Sequence, residues 1–514
     1  MKKLVLVLGL LGTALPAAAE QPVLRIRLGA DARTLDPGTN RDAITDAIQT
    51  NLFEGLVAFR DDSSVGPVLA KSVAVSEDGK TYTFVLRDGV KFSNEAPLTT
   101  KDVLFSWQRY TDPKTGWRCL SEVDGRGAVK VASVAAPDDR TVVFTLEKPS
   151  ALFLATLARP DCGGTGIFHS SSLNPDGSWR EPVTTGPYKL GEWKRGQFIR
   201  LLANEHYAAG PGPRNGLTGD KTPLVAQVDY LVIPDEATAK AALLSNGIDI
   251  NWDIATSDLQ EYRSRKDIVI ESVPTMSISD LLIQTKDPLL SDIRMRRAIL
   301  LSLDLETIAD EVTGSQSKAS HSPIPRSSAY HKAKQAAPIR RDIAAAKKLL
   351  AEAGYRGQVI KLLANKRYPE MFDQAILVQA MAREAGINID VEVVDWGVQQ
   401  DRYLAGNYQM MSHSFSARLD PSLSFEMFTG EKATQPRKAW DSKAAADLVT
   451  RSMAIADPAQ RQAIFDKLED MYRADIPMIT LFSGTRLSAA RSNIEGYRSW
   501  ALGTPRPWGV SIKR

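Results

Sequence analysis

The stretch SEDGKTYTFVLRDGVKFSNEAPLTTKDVLFSWQRY, positions 76–110, constrains the fold more than any other part of the sequence. Asp78-Gly79 is a turn, and the residues after it alternate. Tyr82, Phe84 and Leu86 fall on one face of a strand, and Thr81, Thr83 and Arg87 on the other. Asp88-Gly89 then turns the chain into a short VKF run. Beyond it the period changes. Thr99 or Thr100 caps a helix bearing Val103, Leu104 and Trp107, with Asp102 near its positive end.

The same two periods recur along the chain. VLRIRLGA (23–30) alternates as a strand closed by the turn RTLDPG, and Ile44, Ile48 and Leu52 give 42–53 helical spacing. RTVVFTLEKP (140–149) is a further strand, and 184–207 reads as two strands joined by a charged turn. AAGPGPRNG (208–216) lacks the spacing and the strand–helix setting of a phosphate loop, so it reads as a connector. Residues 228–254 read strand, helix, strand, with Gly247 ending the helix, a βαβ-like unit that points to an α/β architecture. From about 275 the pattern becomes more helical. LSDIRMRRAILLSLDLETIADEV starts at a Ser/Asp cap, while Gly354 and Gly386 stop two further helices. Ile387, Ile389, Val391 and Val393 mark a strand, Asp457-Pro458 opens a helix, and PMITLF is a strand. No internal repeat appears.

The first nineteen residues, MKKLVLVLGLLGTALPAAA, combine Lys2 and Lys3, an apolar run and an Ala17-Ala18-Ala19 cleavage site. This reads as a secretory signal peptide rather than a membrane span or a core helix. No cysteine stands at the expected cut, so the expected product is soluble, not lipid-anchored, and starts near Glu20. With 64 Lys and Arg against 61 Asp and Glu, and no long run of like charge, neither a nucleic-acid surface nor a polybasic membrane anchor is indicated. Cys119 and Cys162 are the only cysteines. In an oxidising compartment an even pair reads as a disulfide, with two separate buried thiols as the alternative.

Enzyme chemistry finds little footing. His169, His206, His321, His331 and His413 are scattered, with no spacing that builds a metal site, and no cofactor motif occurs. HSFSARLDP (413–421) invites a triad, but serines beside a histidine on one strand point to opposite faces. What remains is a set of aromatic and arginine side chains near predicted strand ends, where α/β crevices lie: Trp117, Arg118, Trp252, Trp396, Phe415 and Arg418.

Several ordered segments carry a resemblance that spans the whole mature chain. They are residues 69–109 (with Asn94-Glu95 in place of a more usual Asp-Gly), TTGPYKL, LLSDIRMRRAILLSLDLETI, AAAKKLLAEAGY and IPMITLF. The chain resembles the family 5 solute-binding proteins of ABC importers, the dipeptide, oligopeptide and nickel class. The resemblance implies two α/β lobes of a periplasmic-binding-protein fold (type II-like), a hinge between them and an extra domain inserted in the first. Carried onto this sequence, the first lobe spans about 20–52, 180–276 and 480–514, the inserted domain 53–179, and the second lobe 277–479. Both cysteines then fall in the inserted domain.

The implied role is capture of a peptide or peptide-like solute by lobe closure in the periplasm, as a monomer, and delivery to the membrane permease. Peptide binders of this family carry an aspartate four residues before a proline in the loop matching HSFSARLDP, paired with the ligand's amino group. Here that position is Ala417, followed by Arg418, so a solute with an anionic or blocked end becomes a competitor: a modified peptide, an opine- or sugar-type conjugate, or a metal chelate. The expected contacts are Arg418 as an anion or carbonyl clamp, Trp252, Phe415 and Trp396 as apolar walls, and Asp420 and His413 as polar partners.

Overall fold

The computed structural model describes residues 22–40 and 42–513, and the expected leader over 1–19 lies outside them. The alternating stretch forms the strand Thr81–Leu86, with Tyr82, Phe84 and Leu86 buried. It pairs antiparallel with Thr141–Leu146 in a four-stranded sheet. The helix follows at Thr100–Thr111. Thr99 is its N-cap, and the backbone N–H and hydroxyl of Thr99 both donate to Asp102, at 2.9 and 2.8 Å. Trp107 meets Phe144 edge-to-face at 5.0 Å, which locks this helix onto the sheet. In the same region Cys119 and Cys162 are joined as a disulfide, with Cα atoms 5.6 Å apart.

A ten-stranded sheet organises the two lobes. Its order is 389–393, 360–364, 410–415, 268–283, 478–491, 250–251, 23–28, 227–232, 198–203, 188–194. The two central strands, Ile268–Ile283 and Met478–Arg491, are far longer than their neighbours and run antiparallel from one lobe into the other. Their pairing shifts register twice in the middle: between Ser279 and Asp280, where Leu481 is the extra residue, and at a larger bulge just before it. Pro274 faces Thr485 and Ile278 faces Ser483, so Thr275, Met276 and Ser277 stand opposite Gly484 alone. A Cβ on Gly484 would lie 2.1 Å from the Ser277 hydroxyl, so only glycine fits there without a shift.

On the first-lobe side Val23–Leu28 runs parallel to Gln227–Val232 and Ile250–Asn251. On the second-lobe side Ile360–Ala364 runs parallel to Ile389–Val393 and Met410–Phe415. Parallel strands are covered on both faces. Accordingly Leu281 and Ile283 enter one core cluster of the second lobe, with Ile299 and Leu362, while Ile278 and Leu282 enter another, with Phe425 and Phe465. A single cluster joins the first lobe to the four-stranded sheet through Ile26, Tyr230, Phe84 and Phe144.

Three local expectations need correction. The segment 290–312 is two helices, Ile293–Ser302 and Leu305–Thr313, because Asp304 accepts from the Thr307 N–H and caps the second. The helix Glu236–Leu244 ends before Gly247, and Asn246 takes the left-handed conformation. The strand begun by PMITLF continues through Gly484 to Arg491.

Candidate ligand-binding site

Register decides where the two lobes face each other. Asn251 pairs with Ala489 and Ile250 with Ala490, so the first lobe's parallel strands point their carboxyl ends down the crossing strand toward Gly484. Phe415 pairs with Ile278 and Met410 with Ile283, so the second lobe's strands also end at the crossing. Two sets of carboxyl-end loops thus oppose one another across the bulge. Crevices outside the carboxyl ends of α/β sheets are where ligands sit.

On the first-lobe side the carboxylates in these loops are engaged. Asp31 accepts from the Trp193 indole N–H and the Gly196 N–H, both at 2.9 Å. Asp36 takes the Arg109 guanidinium in two bonds of 2.7 and 2.8 Å, and Asp253 pairs with Arg486 at 2.7 Å. The carboxyl-end loops of the second-lobe strands are 365–368, 394–395 and 416–420.

The family described as bacterial extracellular solute-binding proteins, family 5 Middle, matches residues 64–436. The chain belongs to that family. A probable deoxycholate-binding periplasmic protein of Escherichia coli (strain K12) is 24% identical, with 93% of this chain and 91% of that protein covered. A di/tripeptide-binding protein of Pseudomonas aeruginosa (strain UCBPP-PA14) is 26% identical, with 93% of each covered. The solved structure of HbpA2 from Haemophilus parasuis superposes with a TM-score of 0.83 at 22% identity, covering 96% of this chain and 100% of that one.

Within this family-5 cleft the residues of HSFSARLDP divide sharply. The strand Met410–Phe415 is buried on both faces, so His413 and Phe415 point into the second-lobe core. His413 stacks on Tyr403 at 5.1 Å and meets Phe415 at 4.5 Å. Directly opposite on the crossing strand stands Asp280, fully buried, with its Oδ1 3.8 Å from His413 Nδ1. Burial raises the Asp280 pKa, and the neighbouring His413 pulls it partly back. Ser412 donates to the Met371 carbonyl and Ser414 to that of Ile278, so neither hydroxyl is presented to His413 as a nucleophile.

Asp420 caps the helix Pro421–Phe428 through the Ser422 N–H and pairs with Arg461 at 2.6 Å, both side chains being buried. Its carboxylate holds the loop in place. Trp252, only 5% exposed, lies in the first-lobe core with its indole N–H on the Arg27 carbonyl at 2.9 Å. Of the expected contacts, Phe415, His413 and Trp252 are thus buried among core side chains, and Asp420 is engaged by the helix cap and Arg461. Ser416 and Ala417 are exposed at the loop tip, and half-buried Arg418 folds its guanidinium onto the Ser416 hydroxyl at 2.8 Å. Leu419 packs against the core shared by the first lobe and the four-stranded sheet, which brings the loop across to the opposite wall. Half-buried Trp396 opens the helix Trp396–Ala405 at the far end of the same lobe.

Sequence reasoning missed Tyr368, whose ring meets Trp396 at 4.9 Å, and Asp280, the partner of His413. For Asp280 a signal existed: a lone carboxylate inside the apolar run ISDLLI.

Proposed function

We propose that this chain is the periplasmic receptor of an ABC importer, closing its lobes over a peptide-like solute and presenting the closed form to the membrane permease. The observation that carries this reading is the opposed set of carboxyl-end loops on either side of a bulged pair of crossing strands. Such a linkage lets ligand contacts on both walls select a closed state. The family-5 match supports it, and the leader read from Lys2 to Ala19 supports export. In this reading the mature protein is a soluble monomer that needs no cofactor.

A second reading of the cargo rests on Ala417 and Arg418. A cation beside an alanine cannot neutralise a ligand's amino terminus, and it favours a carboxylate or a blocked end. The two relatives are named for deoxycholate and for di- and tripeptides, a breadth that accommodates either cargo. A thermal-shift and tryptophan-fluorescence screen of free peptides, blocked peptides and organic acids tests this, because a ligand of the native state raises the melting temperature. A hit among free peptides alone supports the first cargo. No shift with any peptide removes it. Arg418→Gln should weaken anionic hits about tenfold, the effect of losing one charge-assisted contact of ~1.5 kcal/mol.

A further inference from the structure

Among the strongly exposed large apolar side chains of the described residues, Tyr368 is the only aromatic one, at 39%. It stands in the loop after Ile360–Ala364, at the carboxyl end of a second-lobe strand. Its ring meets Trp396 at 4.9 Å and an interplanar angle of 79°, so the two rings form a corner. The corner has a built support. The Tyr368 N–H donates to Asn365 at 3.0 Å, and the Asn365 amide donates to Gln399 at 2.9 Å on the helix that Trp396 opens. The Gln399 amide in turn donates to the Ser412 carbonyl at 2.9 Å on the strand that leads to Arg418. Asn365 and Gln399 are completely buried. One amide pair therefore fixes all three strand ends, an investment suited to holding exposed rings in a set geometry.

Charge around the corner cancels. Lys366, Arg367, Glu370 and Asp395 flank it, all exposed, and the Arg367 guanidinium lies 5.9 Å from the centre of the Tyr368 ring. The corner thus suits an uncharged, ring-bearing part of a solute. Arg418 lies one to two strands nearer the hinge, about 5–10 Å away at the usual strand spacing.

We propose that Tyr368, with Trp396, seats the apolar ring portion of the solute, so that the cargo is an amphipathic anion with its charged end and its ring about 5–10 Å apart. This rests on the receptor reading above. It is tested by calorimetric titration of the full mature protein with acetyl-Phe-Ala-Ala, acetyl-Ala-Ala-Ala, free Phe-Ala-Ala and glucuronate. The expected result is at least fivefold tighter binding of acetyl-Phe-Ala-Ala than of acetyl-Ala-Ala-Ala. Tyr368→Ala abolishes that preference, Tyr368→Phe keeps it, and Arg418→Gln weakens both acetyl peptides alike. Equal affinities in the wild type, or a preference that survives in Tyr368→Ala, overturns the proposal while leaving the receptor reading intact. So does a Tyr368→Ala protein that binds normally but fails in permease-dependent uptake, because the ring then serves the partner. No binding of any of the four overturns the proposal and the receptor reading of a peptide-like cargo together.

Discussion

Two junctions hold this molecule together, and they are built from opposite materials. Where the chain leaves the first-lobe helix for the four-stranded sheet and returns, it passes a fully enclosed ion pair. Lys221 and Glu54 lie 2.8 Å apart with side chains 2% and 1% exposed, and the Thr185 hydroxyl donates to the same carboxylate at 3.0 Å. Glycines let backbones touch there: a Cβ on Gly55 would lie 2.3 Å from the Gly164 carbonyl, and one on Gly186 2.3 Å from that of Leu52. At the crossing between the lobes there is only a bulge clothed in hydroxyls. Thr275 and Ser277 bond each other at 2.7 Å, Ser327 reaches the Thr275 carbonyl at 3.0 Å, and Thr485 reaches that of Gln316 at 3.2 Å. Hydroxyls exchange partners with water readily, whereas a buried ion pair does not. The difference teaches that the four-stranded region is anchored to the first lobe by buried charge and close backbone packing, whereas the crossing is held by exchangeable hydroxyls.

That contrast can be broken at several points. The largest effect should come from Lys221→Met, which leaves Glu54 buried without its cation and should cost about 3–5 kcal/mol in denaturant unfolding. Replacing Glu54 as well, by leucine, should restore much of the loss. Next is Cys119→Ser with Cys162→Ser, which frees a loop spanning 43 residues and should cost about 2–4 kcal/mol, read as a lower unfolding midpoint. Gly484→Val comes third. Its side chain must displace the Ser277 hydroxyl, at about 1–3 kcal/mol, and solution scattering should show a smaller ligand-induced compaction than in the wild type.

The smallest effect concerns Asp280 on the crossing strand. Its folded pKa is raised above the ordinary 3.8, so the folded state holds the proton that the unfolded state has lost. The resulting stability is complete below the unfolded value and disappears as pH rises through the folded one. His413, Tyr403, Tyr408 and Tyr472 surround the group, and Tyr472, from the helix Pro458–Asp475, bonds the Thr480 hydroxyl on the other crossing strand at 3.1 Å. Asp280→Asn should flatten this part of the stability-versus-pH curve. An unchanged slope would assign it elsewhere.

The sequence made the two periods legible wherever one face of an element meets solvent, as at Tyr82, Phe84 and Leu86. It hid the crossing strands. Pro274 and the run of Ser and Thr around it mask the alternation that paired neighbours impose, and Gly484 looks like an end rather than a bulge. The loop after Met410–Phe415 was legible as a loop, and the resemblance placed it at the ligand. The inward turn of His413 and Phe415 was not, because a strand buried on both faces gives no parity signal. Asp420 reads from the sequence as a polar ligand partner; it caps a helix instead of standing free, and Arg461 engages it from forty-one residues away, beyond the reach of local pattern.

The bulge at Thr275–Ser277 has one more consequence. Opposite a single glycine it gives the strand Ile268–Ile283 two extra residues, and Leu481 returns one to its partner just beyond, a net excess of about 3 Å of contour at the usual rise. A linkage with unequal slack on its two strands behaves like a strap hinge rather than a ball joint. Successive states of this protein should therefore differ by rotation in one preferred sense, and the cleft should open always at the same lip.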